Sequence, residues 1–147
     1  MFLNKEKKAW YMKDFEALLL RKDLDCEIIE HLVSINKSEN IQTLYSAYFA
    51  RKKVSYLKIC FTKDAELTLV STLKTVEEKY NNSSNEQCYF RSYEPKSNPM
   101  YDPDYPKGML YYDSPEYLRI KHFQIFFEAE FRQRHSEFWE SLKDQLG

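Results

Sequence analysis

Glycine is almost missing from this chain. Two of its 147 residues are glycine, Gly108 and Gly147. Loops that cradle phosphate in P-loop and dinucleotide-binding proteins need several, because the backbone must approach the ligand closely. Those classes are excluded. A strained nucleophile elbow with a glycine-built oxyanion loop is excluded on the same ground.

Proline is equally confined. All five prolines fall at positions 95, 99, 103, 106 and 115, and Gly108 lies among them. Cysteine is sparse and odd in number: Cys26, Cys60 and Cys88, with no CxxC pair. That spacing supports neither a zinc ribbon nor a redox motif, and suits small buried side chains in a reducing compartment. The N-terminal Met-Phe-Leu-Asn-Lys-Glu-Lys-Lys has no apolar signal core, and no apolar run approaches the ~20 residues of a membrane span. The expected location is the cytoplasm, away from any membrane.

A net charge of −1 from 22 basic and 23 acidic residues argues against a dedicated nucleic-acid binder. The length suits one domain, 1–147, and 43% hydrophobic content with 16% aromatic residues supports a full core.

Periodicity predicts the elements. Trp10, Tyr11, Phe15, Leu18 and Leu19 mark a helix over about 3–21. Leu24, Ile28, Leu32 and Ile35 mark a second, which Asp23 can cap. Ile41, Leu44, Tyr45, Tyr48 and Phe49 form an i, i+3, i+4, i+7, i+8 stripe, predicting a third helix that ends in Arg51-Lys52-Lys53. Val54–Phe61 is β-branched and aromatic and reads as a strand. Asp64 opens a helix carrying Leu69, Val70, Leu73, Val76 and Tyr80. Gln87–Tyr93 reads as a second strand, with Tyr89, Arg91 and Tyr93 on one face. Met109–Tyr112 reads as a short third. Ser114-Pro115-Glu116 has the form of a helix start. The stripe Ile120, Phe123, Phe127, Phe131, Phe138, Leu142 then predicts one long helix to about Leu146. Such a helix would reach about 45 Å and offer a surface for a second copy.

The expected fold is α+β. Three N-terminal helices fill 1–53. A strand–helix–strand unit, a Pro/Tyr-rich loop and a third strand fill 54–113, and the long helix fills 114–146. The strand–helix–strand unit favours a right-handed parallel pairing.

Chemistry is thinly marked. His122 and His135 are too far apart on a helix to share one metal, and no HExxH or His-Cys cluster is present. No cofactor or metal site is expected. Glu128, Arg132 and His135 share a face of the expected helix, and form the weak alternative of a site for nucleic acid or a phosphate ester. His135 falls between Phe131 and Phe138, which suits the edge of a core. Residues 35–63 hold six basic side chains and one acid, interleaved with Tyr45, Tyr48 and Tyr56, a pattern compatible with nucleic acid or with a solvated strand edge.

The proline segment is the stronger candidate. Six of the twelve tyrosines lie from Tyr93 to Tyr117. Tyr101, Asp102, Asp104, Tyr105, Tyr111, Tyr112 and Asp113 make it acidic and aromatic. Tyrosine brings area and a polar tip at little entropic expense, and carboxylates complement a basic partner. The reading favours a non-catalytic interaction protein that presents this loop to a protein partner. One version is an inhibitor or immunity protein against a basic toxin or nuclease.

Overall fold

The computed structural model describes residues 2–81, 85–93 and 120–147. It is an α+β fold. Among the described residues, four helices accompany a four-stranded antiparallel sheet of order β1-β2-β4-β3. The strands are β1 (Ile41–Ala50), β2 (Val54–Phe61), β3 (Glu86–Tyr93) and β4 (His122–Ala129). The helices are α1 (Lys5–Leu20), α2 (Ile29–Asn36), α3 (Glu66–Tyr80) and α4 (Arg132–Leu146).

Helix α1 begins where Asn4 Oδ1 accepts the Lys7 amide at 2.8 Å. At its other end the Asp23 and Lys22 amides donate back to the Leu18 and Leu19 carbonyls, and Lys22 turns left-handed at φ 59°. That closure normally recruits glycine, which has no Cβ to strain. In this glycine-poor chain a lysine fills it. Lys22→Gly is expected to raise stability by about 0.5–1 kcal/mol in a denaturant titration. An unchanged or lower midpoint would contradict the argument.

The third expected helix is instead strand β1. Two bulges account for the helix-like spacing. The register with β2 slips between Thr43 and Tyr45, and again between Ala47 and Ala50. Ile41 and Thr43 face the core opposite Phe61 and Ile59, but beyond Leu44 the sides exchange and Ser46 faces the core. Each bulge adds one residue to the two-residue alternation, so the apolar positions drift toward a helical spacing. The end of α2 braces the first bulge. Asn36 Nδ2 donates to Thr43 Oγ1, and Asn36 Oδ1 accepts the Thr43 amide, both at 2.8 Å. Lys8 Nζ donates to the Asn36 and Ile41 carbonyls at 2.9 and 2.5 Å, tying α1 to the same corner.

The long closing helix is also corrected. Residues 122–129 form a strand, and α4 starts only at Arg132. Phe123, Ile125, Phe127 and Ala129 alternate with Gln124, Phe126 and Glu128, a period of two that the wider aromatic stripe conceals. Nothing at Glu130-Phe131 signals the change to helix, since neither glycine nor proline is there. Helix α4 has 15 residues, about 22 Å. It buries Phe138, Trp139, Leu142 and Leu146 inside the domain, and the 45 Å helix expected to offer a surface for a second copy does not form.

The sheet differs as well. The expected direct pairing of β2 with β3 does not occur, because β4 lies between them, antiparallel to both. Helix α3 therefore links next-but-one strands. The short strand expected at Met109–Tyr112 lies outside the described residues. Helices α2, α3 and α4 cover one sheet face, where Leu32, Leu73 and Phe138 join Leu57, Ile59 and Phe127 in one core. Phe127 and Phe138 stack at 4.7 Å, and Tyr80 meets both rings edge-on.

Candidate functional site

Of the three histidines, His135 is the one grouped with Glu128 and Arg132 in the sequence. His135 is fully buried, not in a cleft. Its Nε2 lies 2.8 Å from the Ala129 carbonyl, which can only accept, so Nε2 carries the proton. Its Nδ1 then accepts from the Ser55 hydroxyl at 2.7 Å. Ser55 Oγ in turn accepts the Phe49 amide at 3.0 Å. The relay joins β1, β2, the end of β4 and α4, and both ring nitrogens are used. Phe49 and Phe127 pack edge-on against the imidazole at 4.8 and 5.0 Å. Burial is the main cause that lowers the His135 pKa, and the Arg132 charge adds to it.

The other two candidates of that set point elsewhere. Arg132 is exposed, lies 3.8 Å from Glu27 and stacks on Phe49 at 4.8 Å. Glu128 sits on β4, not on a helix, and is exposed toward the opposite sheet face. The structure does not bring the three together. It shows instead a fork the sequence did not reveal. Arg134 Nε and Nη2 donate to the two Glu86 oxygens at 2.8 and 2.9 Å, and Nη1 donates to Glu137 at 2.5 Å. The Glu86 hydrogen bonds are the chief cause that raises the Arg134 pKa. This fork pins α4 to the start of β3, beside a cleft of about 510 Å³ that Lys52, Lys53 and Phe131 also line. A second cleft, about 360 Å³, lies between α1 and β1, with Phe15, Leu18 and Leu44 in its wall.

The expected partner-binding residues Tyr101, Asp102, Asp104, Tyr105, Tyr111, Tyr112 and Asp113 lie outside the described residues. The attachment of their segment is described. Chain leaves the sheet after Tyr93 on β3 and returns at Ile120, just before His122 on β4. Tyr93 and His122 are register partners, with rings stacked at 5.2 Å. His122 Nδ1 donates to the Ile120 carbonyl at 3.1 Å. Both ends of the segment are thus held on adjacent, hydrogen-bonded strands.

Register partners in an antiparallel sheet share a face, so side chains fall in rows. On the side away from the core, one row reads Tyr45, Lys58, Gln124, Arg91, and the next Ala47, Tyr56, Phe126, Tyr89. The Tyr89 ring stacks on Phe126 at 4.9 Å, and Tyr56 lies 6.4 Å from Phe126 on the other side. The Arg91 guanidinium lies 5.2 Å from the Tyr89 ring centre. The Tyr89, Arg91, Tyr93 face is legible in the sequence. Its continuation across β4 is not, because β4 reads as helix.

Burial tunes several groups. It lowers Lys8 and Lys58 to about 8, raises the Cys60 thiol, and raises Cys88 to about 12. Cys60 and Cys88 are therefore inert thiols, while Cys26 is exposed. The lowered lysines have a testable consequence. Between pH 8 and 10.5 the unfolded chain binds more protons at Lys58 than the folded one, so this site favours folding more as pH rises. The raised thiols and Tyr56 act in the opposite sense at high pH. Comparing wild type with Lys58→Met cancels them. The difference in denaturation free energy is expected to shift toward wild type by about 1 kcal/mol between pH 8 and 10. A constant difference would contradict the burial of that ammonium.

Among the described residues no group of three His, Cys, Asp or Glu side chains is placed to hold a metal, and no helix is long and apolar enough to cross a membrane. Comparison of the chain with protein-family models, curated proteins and solved structures finds no match.

Proposed function

We propose that the protein is a non-catalytic binding module whose working surface is the acidic, tyrosine-rich segment around Tyr101–Asp113, presented to a basic protein partner. The observation that carries the reading is the way this segment is inserted. It leaves and re-enters at the register partners Tyr93 and His122, so a rigid sheet fixes both its ends. Fixed ends lower the ordering cost of binding, and prolines lower it further. Tyr101, Tyr105, Tyr111 and Tyr112 supply contact area, and Asp102, Asp104 and Asp113 supply the charge that steers a cationic partner.

The engagement of His135 supports the reading, since both of its ring nitrogens serve the fold. An inhibitor or immunity protein that covers the basic active site of a toxin or nuclease is one concrete form. The test is capture from native cell extract by the intact chain and by a variant with Tyr101–Tyr105 replaced by glycine and serine. A partner held by the first and lost by the second is expected. A partner held equally by both would refute the assignment.

A further inference from the structure

The geometry points to a second binding surface, on the part of the outer sheet face that α1 leaves uncovered, for single-stranded nucleic acid. The Tyr56–Phe126–Tyr89 row crosses three adjacent strands on the side opposite α2, α3 and α4. Tyr89 is 36% exposed and Tyr56 and Phe126 are half-buried, so the rings are held by the sheet yet reach its surface. Nucleobases add to such rings whatever their identity, because every base has a π-face.

Charge on this face complements a phosphodiester chain. Arg91, exposed, borders the aromatic row at β3, whereas Lys58 in the neighbouring row on β2 is buried and takes no part. The hairpin tip at the same end of the sheet carries Arg51, Lys52 and Lys53, all exposed. The carboxylates here are Glu128, beside the row, and Glu130, which pairs with Lys53. Asp25 adds a third, its charge acting on the Tyr56 hydroxyl, so four exposed cations, Arg51, Lys52, Lys53 and Arg91, stand against three acids around the row. Helix α1 covers this face only toward Cys60, where Leu3 and Tyr11 pack, and the sheet surface beyond it can carry a strand whose bases are unstacked.

This surface is built from residues of the sheet and the β1–β2 hairpin, none of them from the acidic segment. Tyr89 lies four residues, about 13 Å, along β3 from Tyr93, where that segment departs. The inference therefore does not depend on the protein-partner reading.

The experiment is fluorescence anisotropy of labelled oligothymidine, oligouridine and a matching duplex with the intact chain. Saturable binding of a single strand at about 50 mM salt is expected, weakening steeply as salt rises. Tyr89→Ala is expected to weaken it by about tenfold. Arg91→Ala is expected to reduce the slope of log affinity against log salt by about 0.7. Arg91→Ala removes an exposed side chain and should leave the melting temperature unchanged; Tyr89→Ala also loses the stack on Phe126, so its affinity is read well below its own melting transition, and Phe126→Leu offers a further variant that keeps most of the apolar volume without the ring. Preference between the thymidine and uridine strands assigns DNA or RNA as the natural form. Replacement of Tyr101–Tyr105 should leave oligonucleotide binding intact. Absence of saturable binding, equal affinity for the duplex, or indifference to both Tyr89→Ala and Arg91→Ala would overturn the proposal. Capture of an acidic protein through Tyr89 and Arg91, with no oligonucleotide bound, would overturn it in favour of a protein ligand.

Discussion

His135→Ala is expected to destabilise the fold by about 3 kcal/mol and to lower the melting temperature by roughly 10 °C. The ring fills space between Phe49 and Phe127, and its loss leaves a cavity. It also strands two polar groups. The Ser55 hydroxyl loses its acceptor and the Ala129 carbonyl loses its donor, both away from water. The Ala129 carbonyl ends β4 just before the chain turns into α4, and Ser55 holds the Phe49 amide where β1 turns left-handed at φ 47°. Loss of the relay thus loosens the strand–helix turn and the second β1 bulge together.

The pH dependence has a definite sign. Burial lowers the His135 pKa below its ordinary 6.5, so the unfolded chain takes up this proton first as pH falls. Stability from this site is present above pH 6.5 and lost as pH falls through the lowered value. The comparison is wild type against His135→Gln, by denaturant titration from pH 7.5 downward. Wild type should lose more stability than the variant. Parallel profiles, or a melting temperature unchanged in His135→Ala, would show that the imidazole is not a structural link.

Asp102→Lys combined with Asp104→Lys is expected to slow association with the captured protein partner by about tenfold or more at low salt, with a smaller change in dissociation. Reversing two charges alters the local sign by four units, and steering acts on the encounter before contacts form. The difference should shrink as salt shortens the Debye length. The melting temperature of the double variant should match wild type. Stopped-flow mixing at several salt concentrations checks it. Equal association rates would remove the electrostatic part of the proposal.

How much of this was readable in advance depends on how local the signal is. Helices α1, α2 and α3 and strands β2 and β3 follow from spacing and side-chain type over eight or more residues. Strand β1 does not, because bulges at Leu44 and near Phe49 break its alternation and bring Tyr48 into a helix-like series. Strand β4 fails for another reason. Phe123, Ile125 and Phe127 fit a strand, but Phe126, Phe131 and Phe138 extend the apolar set into a helical stripe, and no breaker separates β4 from α4. With β4 read as helix, its place between β2 and β3 was hidden, and with it the aromatic row through Phe126. His135 shows the same limit at the site. Its place between Phe131 and Phe138 already suits the edge of a core, but the partner that fixes its ring, Ser55, lies 80 residues away and is known only from the fold. The acidic tyrosine segment was legible from composition alone, since all five prolines and six of the twelve tyrosines fall between positions 93 and 117. Its attachment across one register pair needed the sheet.

The measurement that bears most directly on the central claim is calorimetric titration of the isolated partner with the intact chain and with the chain carrying glycine and serine in place of Tyr101–Tyr105. Both proteins should melt at the same temperature. The account predicts that affinity falls by about a hundredfold or more, because aromatic and charged anchors carry most of an interface's energy. The same dissociation constant for both chains would place the working surface elsewhere on the molecule.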